Sequence, residues 1–184
     1  MSATAEHSAR YTRLAVWLHW IVAALIIVNL LIANLVDFLP DPQQDPVVDV
    51  HKSIGLTVLG LVVVRLLWRL ANRPPALPGA ISRLERIASQ VSHGVLYALM
   101  LALPLTGWAQ ESTYKDTIRD GLYLFGVVRV PLLSFLDPAR HDQLFDLHSL
   151  FGNLLYVLFA LHLAAALKHQ FIDKQKLLQR MAVR

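Results

Sequence analysis

LFDLHSLFGNLLYVLFALHLAAAL, residues 144–167, is an apolar run in which Asp146 is the one carboxylate and two histidines, His148 and His162, stand 14 positions apart. A helix needs about 20 apolar residues to cross about 30 Å of hydrocarbon. Lipid offers no water to open backbone groups, so such a run is helical. Fourteen residues is close to four turns, which places both histidines on nearly one face and ~21 Å apart along the axis. Ionisable side chains in a membrane are costly and mark function. Two ligands to one ion on a single helix lie an i,i+4 step apart. A four-turn separation instead suits two centres, one per leaflet.

Three more runs of this kind, about 14–36, 47–70 and 87–109, make the chain an all-α integral membrane four-helix bundle, one domain over residues 1–184. Hydrophobic residues make up 55% and charged residues 16%, against about 25% charged in soluble domains; mean hydropathy is +0.48. Cysteine is absent, which excludes disulfides, iron–sulfur clusters and thiolate-bound zinc. The net charge of +4 does not indicate nucleic acid, because the basic residues sit at segment ends and not on one polar face. The connection between the first two segments holds Asp37, Asp41, Asp45 and Asp49 with no Lys or Arg, whereas Arg69, Arg73, Arg83 and Arg86 flank the second connection. Lys168, Lys174, Lys176, Arg180 and Arg184 follow the fourth segment. Basic short loops stay in the cytoplasm. Both termini are therefore expected there, with Met1–Arg13 a retained extension lacking an apolar signal core. The third connection, about 110–143, is expected to form one or two short interfacial segments over the outer helix ends.

His51 lies near the outer start of the second segment, level with His148, and His19 near the inner start of the first, level with His162. The expected pairs are His51–His148 and His19–His162. A porphyrin edge against a helix needs a small residue one turn from its ligand, and Ala23, Gly55, Gly152 and Ala166 stand four positions after the four histidines. The matching position after His93 is the bulky Tyr97, so His93 reads as a neighbour of the inner centre or a quinone contact and not as a ligand. Arg65, 14 residues after His51, faces the inner centre. Its guanidinium either pairs with a propionate or snorkels to the inner surface beside Arg69. Pro104 and Gly107 kink or thin the third segment for packing. Trp17, Trp20, Trp68 and Trp108 sit at segment ends as an aromatic belt.

These residues together resemble the bacterial cytochrome b-561 family, small di-haem membrane cytochromes related to the cytochrome b subunits of nickel hydrogenases. The resemblance runs from Tyr11 to Met181. It is carried by Arg13-Leu-Ala-Val-Trp-Leu-His19-Trp20, by His51-Lys-Ser-Ile-Gly55 with Arg65, by His93-Gly-Val-Leu-Tyr97 and Leu103-Pro-Leu-Thr-Gly-Trp108, and by His148 spaced from His162 and His169. It implies two haem b groups, with iron held by His19, His51, His148 and His162, in a multi-pass protein of the bacterial inner membrane that exchanges electrons with ubiquinone. One relative of this kind takes electrons from superoxide at the periplasmic side. On that analogy Lys52 and Arg129 would attract or position an anion at the outer haem, and His169, with Arg10, Arg13 or Arg69, would contact quinone. The outer connections carry more Asp and Glu than Lys and Arg, a field that slows an incoming anion outside a local basic funnel. The rival reading is a cytochrome b subunit that relays electrons between the quinone pool and a partner dehydrogenase, hydrogenase or soluble cytochrome. A haem-free transporter or assembly factor would make the ordered histidines a coincidence.

Overall fold

The computed structural model describes residues 10–76, 81–175 and 177–182. Residues 1–9 of the expected N-terminal extension, together with Pro78, Lys176 and Arg184, lie outside the described residues. Four helices are long and apolar enough to span a membrane. The first is α1, Arg13–Leu35, whose N-cap Thr12 accepts a hydrogen bond from the Ala15 amide. A 3-10 turn over Val36–Phe38 leads to α2, Asp41–Ala71. α2 starts six residues before the apolar segment beginning at 47, so Asp41, Asp45 and Asp49 ride on a helix and not on a loop. The first helical turn tolerates proline because its amides have no intrahelical partner, and Asp41 suits the positive end of the helix dipole.

α3, Arg83–Thr113, opens with a capping box in which Ser82 and Glu85 satisfy one another's amides. The third connection holds α4, Lys115–Asp120, then β1, Leu122–Leu124, and β2, Val128–Val130, paired antiparallel with Leu122 opposite Val130. The third connection, expected to hold one or two short segments, folds as a short helix and a hairpin. Residues 125–127 connect the strands through a turn closed by the Val127 amide on the Leu124 carbonyl at 3.1 Å, with positive φ at both Phe125 (50°) and Gly126 (69°). Glycine accepts that conformation freely, whereas a bulky aromatic there is unusual. The Phe125 amide donates to Ser53 Oγ on α2 at 2.8 Å, and Ser53 is fully buried. That bond fastens the turn to the bundle. α5, His141–Leu167, follows, and a π-turn over Lys168–Ile172 and a 3-10 turn over Leu177–Met181 end the described chain.

Successive helices pack on one another, α1 on α2, α2 on α3 and α3 on α5. Val22, Ile26, Ile54, Val58, Val62, Leu96, Leu99 and Leu155 form the core between them. The outward faces keep Leu31, Val64, Leu67 and Leu161 exposed, as a lipid-contacting surface does. α1 and α5 meet where the Tyr156 hydroxyl donates to the Leu30 carbonyl at 2.9 Å and accepts from Asn34. One end of the bundle carries Asp41, Asp45, Asp49, Asp116 and Asp120 and is termed the acidic end; the other carries Arg13, Arg69, Arg83, Arg86 and Lys168 and is the basic end.

Replacing Ser53 by Ala removes the acceptor of the Phe125 amide, a loss of about 1–3 kcal/mol for a buried donor. Hydrogen exchange and proteolysis should then rise over residues 122–130 while the helical circular dichroism stays unchanged. Equal protection of the hairpin in both proteins would show that Ser53 does not fasten it.

Candidate functional site

Near the acidic end, His51 on α2 and His148 on α5 face one another with ring centres 6.3 Å apart and planes at 81°. Each ring is oriented through Nδ1. His51 Nδ1 lies 3.3 Å from the carbonyl oxygen of Asn29, and His148 Nδ1 lies 3.0 Å from that of Leu103. A carbonyl can only accept, so each Nδ1 carries its proton and each Nε2 is left with a free lone pair. Metal-binding histidines are commonly held in this way, which fixes the tautomer and raises ligand basicity. Two metal–imidazole bonds of about 2 Å each, added to two ring radii, need roughly 6 Å between ring centres. The observed separation meets that requirement.

Both histidines line a cavity of about 520 Å³, a cofactor-sized space. Gly55 and Gly152 line it too, and a Cβ at Gly152 would meet nothing within 4 Å, while one at Gly55 would find Asn29 Nδ2 at 3.7 Å. Asn29 Oδ1 is buried there without a partner among the described residues. Paired imidazoles, open space over Gly152 and an unpaired amide oxygen fit a flat, partly polar group that contains a metal.

Near the basic end, His93 on α3 and His162 on α5 have ring centres 5.2 Å apart, closer than two ligands with an ion between them. His19 on α1 is the third member, close enough to both for their charges to interact. Arg65 ties this end together. Its Nε donates to the Tyr97 hydroxyl at 2.9 Å, Nη1 to the Ala15 carbonyl at 3.1 Å, and Nη2 to His19 Nδ1 at 3.2 Å. The structure therefore gives Arg65 three partners within the chain, and none of them is an anion. Tyr97, singled out as bulky, is one of them.

The other anticipated residues divide. Lys52 is ion-paired to Glu111 at 2.9 Å and to Asp49 at 3.2 Å, so its charge is neutralised locally. Arg129 lies on the hairpin, exposed to solvent. Arg13 opens α1 at the basic end and is exposed. His169 Nδ1 is 2.7 Å from Asp173 Oδ2, and Lys168 bridges Asp173 (2.7 Å) and Glu85 (2.9 Å). Lys168, with His169 adding to it, holds the Asp173 carboxyl below the ordinary carboxylate range. Glu85, His169 and Asp173 have the spacing of a cation site, but the Lys168 ammonium already supplies the cation to both carboxylates.

Sequence reasoning did not single out Asn29, Asn34 or Tyr156. Amides within an apolar segment are the signal that could have found the first two, because a polar group in lipid must have a partner. Nothing in the sequence announces that the Leu103 carbonyl receives His148. Arg65→Lys should remove the planar fork that joins three helices and lower the unfolding free energy by about 1–3 kcal/mol. Tyr97→Phe should cost roughly 1 kcal/mol. Thermal melts in detergent check both, and unchanged melting of Arg65→Lys would mean that the fork carries no stability.

The family described as prokaryotic cytochrome b561 matches residues 10–182. "Cytochrome b561 homolog 2" of Escherichia coli is 34% identical over 135 residues, 72% of this chain and 69% of that one. "Probable superoxide oxidase CybB" of Yersinia pestis is 29% identical over 177 residues, 94% and 95% of the two chains. "Cytochrome b562" of Cereibacter sphaeroides is 26% identical over 183 residues, 93% and 94%. With a four-helix membrane bundle and a histidine-lined cavity, the chain belongs to the prokaryotic cytochrome b561 family of haem-binding membrane electron-transfer proteins.

Proposed function

We propose that the protein carries two b-type haems, one near each end of the bundle, and moves single electrons between a reactant at the acidic end and ubiquinone at the basic end. In this reading the acidic end faces the periplasm and both termini are cytoplasmic, an orientation that the Lys/Arg distribution supports. The observation that carries the reading is the His51–His148 pair, 6.3 Å apart across a cofactor-sized cavity with both Nδ1 atoms engaged by carbonyls. His51 and His148 would hold the haem near the acidic end. His19 and His162 would hold the other, with His93 beside it. Ligation through His19 Nε2 puts the ring proton on Nδ1, which removes one acceptor of Arg65 and frees that arm for an anion such as a propionate. Haem b supplies a reversible one-electron couple whose potential follows its axial ligands and burial.

The redox balance then sets what the chain must do. Two superoxide anions give up one electron each and leave as dioxygen, and ubiquinone takes two electrons and two protons to become ubiquinol. Superoxide as donor follows the likeness to the Yersinia protein named a probable superoxide oxidase. Lys52 and Arg129 are the basic groups near the acidic end that would steer it, Arg129 with its charge in solvent and Lys52 within its carboxylate pair. Near the basic end His169, with Nδ1 on Asp173, would present Nε2 to the quinone and hydrogen-bond its carbonyl. Arg13 and Arg69 would add positive charge to a quinone site at this end.

A second reading, a subunit that relays electrons for a partner dehydrogenase, hydrogenase or cytochrome, draws on the exposed apolar residues Val127 and Phe135 of the third connection. Copurification of a stoichiometric partner would favour it, and turnover by the isolated chain would favour the first.

A reduced-minus-oxidised spectrum with haem quantified per chain should give two low-spin haem b groups. His51→Ala and His148→Ala should each leave one, and His93→Ala should leave two. One haem in the unaltered protein would sink the di-haem reading. Loss of a haem in His93→Ala, with both kept in His19→Ala, would reverse the pairing near the basic end. After reduction with superoxide, reoxidation by a short-chain ubiquinone should slow in His169→Ala. A wild-type rate there would remove His169 from the quinone site.

A further inference from the structure

Glycine occurs at eight positions in this chain, and Gly107 on α3 differs from the other glycines of the helices. A Cβ at Gly60, Gly94 or Gly152 would meet nothing within 4 Å, and at Gly55 the nearest atom would be Asn29 Nδ2 at 3.7 Å. A Cβ at Gly107 would lie 2.9 Å from Cε1 and 3.2 Å from Nδ1 of His148. The first distance is below van der Waals contact, so α3 and the imidazole could not both keep their places. One turn earlier on the same helix, the Leu103 carbonyl receives Nδ1 of that ring at 3.0 Å, with Thr106 Oγ1 at 3.3 Å. The missing side chain and the carbonyl therefore act on a single imidazole, one by clearance and the other by orientation.

We infer that Gly107 and the Leu103 carbonyl form a seat on α3 for the His148 imidazole, and that Gly107 is a positioning residue for the haem near the acidic end, though it is no ligand itself. This rests on the haem reading above. The glycines at 55 and 152 leave room for the flat group, whereas Gly107 leaves room for its ligand. No glycine of the described helices stands in such contact with His19, His93 or His162. The seat therefore belongs to one of the two centres. A methyl group at 107 pushes the ring off the Leu103 carbonyl. Loss of that hydrogen bond lowers the basicity of the bound imidazole, and a less basic axial ligand favours the ferrous state.

The test compares Gly107→Ala with Gly94→Ala, His148→Ala and the double variant His148→Ala/Gly107→Ala in the full-length protein, reading haem per chain and redox potentials. Two haems in the unaltered protein establish the underlying reading; fewer would refute that reading separately from this one. Gly107→Ala should either lose one haem or keep both with one midpoint potential raised, and Gly94→Ala should match the unaltered protein. If Gly107→Ala fails to accumulate, the double variant decides. Removing the imidazole removes the clash, so the double variant should accumulate and hold one haem as His148→Ala does. Two haems at unaltered potentials in Gly107→Ala would overturn the inference. So would a double variant that fails where His148→Ala accumulates, because Gly107 would then serve helix packing alone.

Discussion

Two imidazole-to-carbonyl contacts govern this protein: His51 Nδ1 on Asn29 and His148 Nδ1 on Leu103. Inside a bilayer a carbonyl that accepts from outside its own helix must face the bundle interior, and so must the ring that donates to it. Those contacts set which faces of α1, α2, α3 and α5 turn inward at this depth. The cavity lies between those faces, and both rings line it. Each ring sits on one helix and is aimed by another: His51 on α2 by α1, and His148 on α5 by α3. All four spanning helices are therefore needed to set this one pair of histidines.

The two ends of the bundle differ in what they ask of a bound group. Near the acidic end the rings already have the separation that two axial ligands need, and the space beside them is open. Near the basic end, Arg65 holds Tyr97 and His19, His93 Nδ1 is taken by the Ser89 carbonyl, and the His93 and His162 rings are in contact. A group bound there must exchange existing contacts for new ones, and the Arg65–His19 bond is the first that Nε2 ligation would alter. Lys52 shows a similar economy at the acidic end. It lies between Glu111 and Asp49, so its ammonium is kept out of lipid by carboxylates and contributes little net field.

The four spans were legible from apolar length alone, and the depth of each histidine followed from its place along a span. The His51–His148 approach was legible because 3.6-residue periodicity and span direction fix both depth and face. Three things were not. α2 begins at Asp41 because helix entry by Pro40 and Pro42 obeys local capping rules that hydropathy does not register. The hairpin at 122–130 is too short for a periodicity argument and depends on Ser53, which lies 72 residues before Phe125. Arg65 found partners in Tyr97, Ala15 and His19 because long side chains choose among neighbours on other helices. Spacing along a single helix contains no information about that choice.

The way the helices neighbour one another also bears on how the chain is made. α1 packs on α2, α2 on α3 and α3 on α5, so each lateral contact joins elements synthesised one after the other. Contacts between near neighbours in sequence form with little loop-closure entropy. The contacts of α1 with the C-terminal part of the chain are different: Asn34 and Tyr156 of α5 are 122 residues apart, and Trp20 donates to the Met181 carbonyl of the terminal 3-10 turn across 161. Without α5, α3 lacks one of the helices that pack on it and His51 on α2 lacks the ring of His148. During biogenesis the fourth span is both the closing wall and the carrier of the second imidazole.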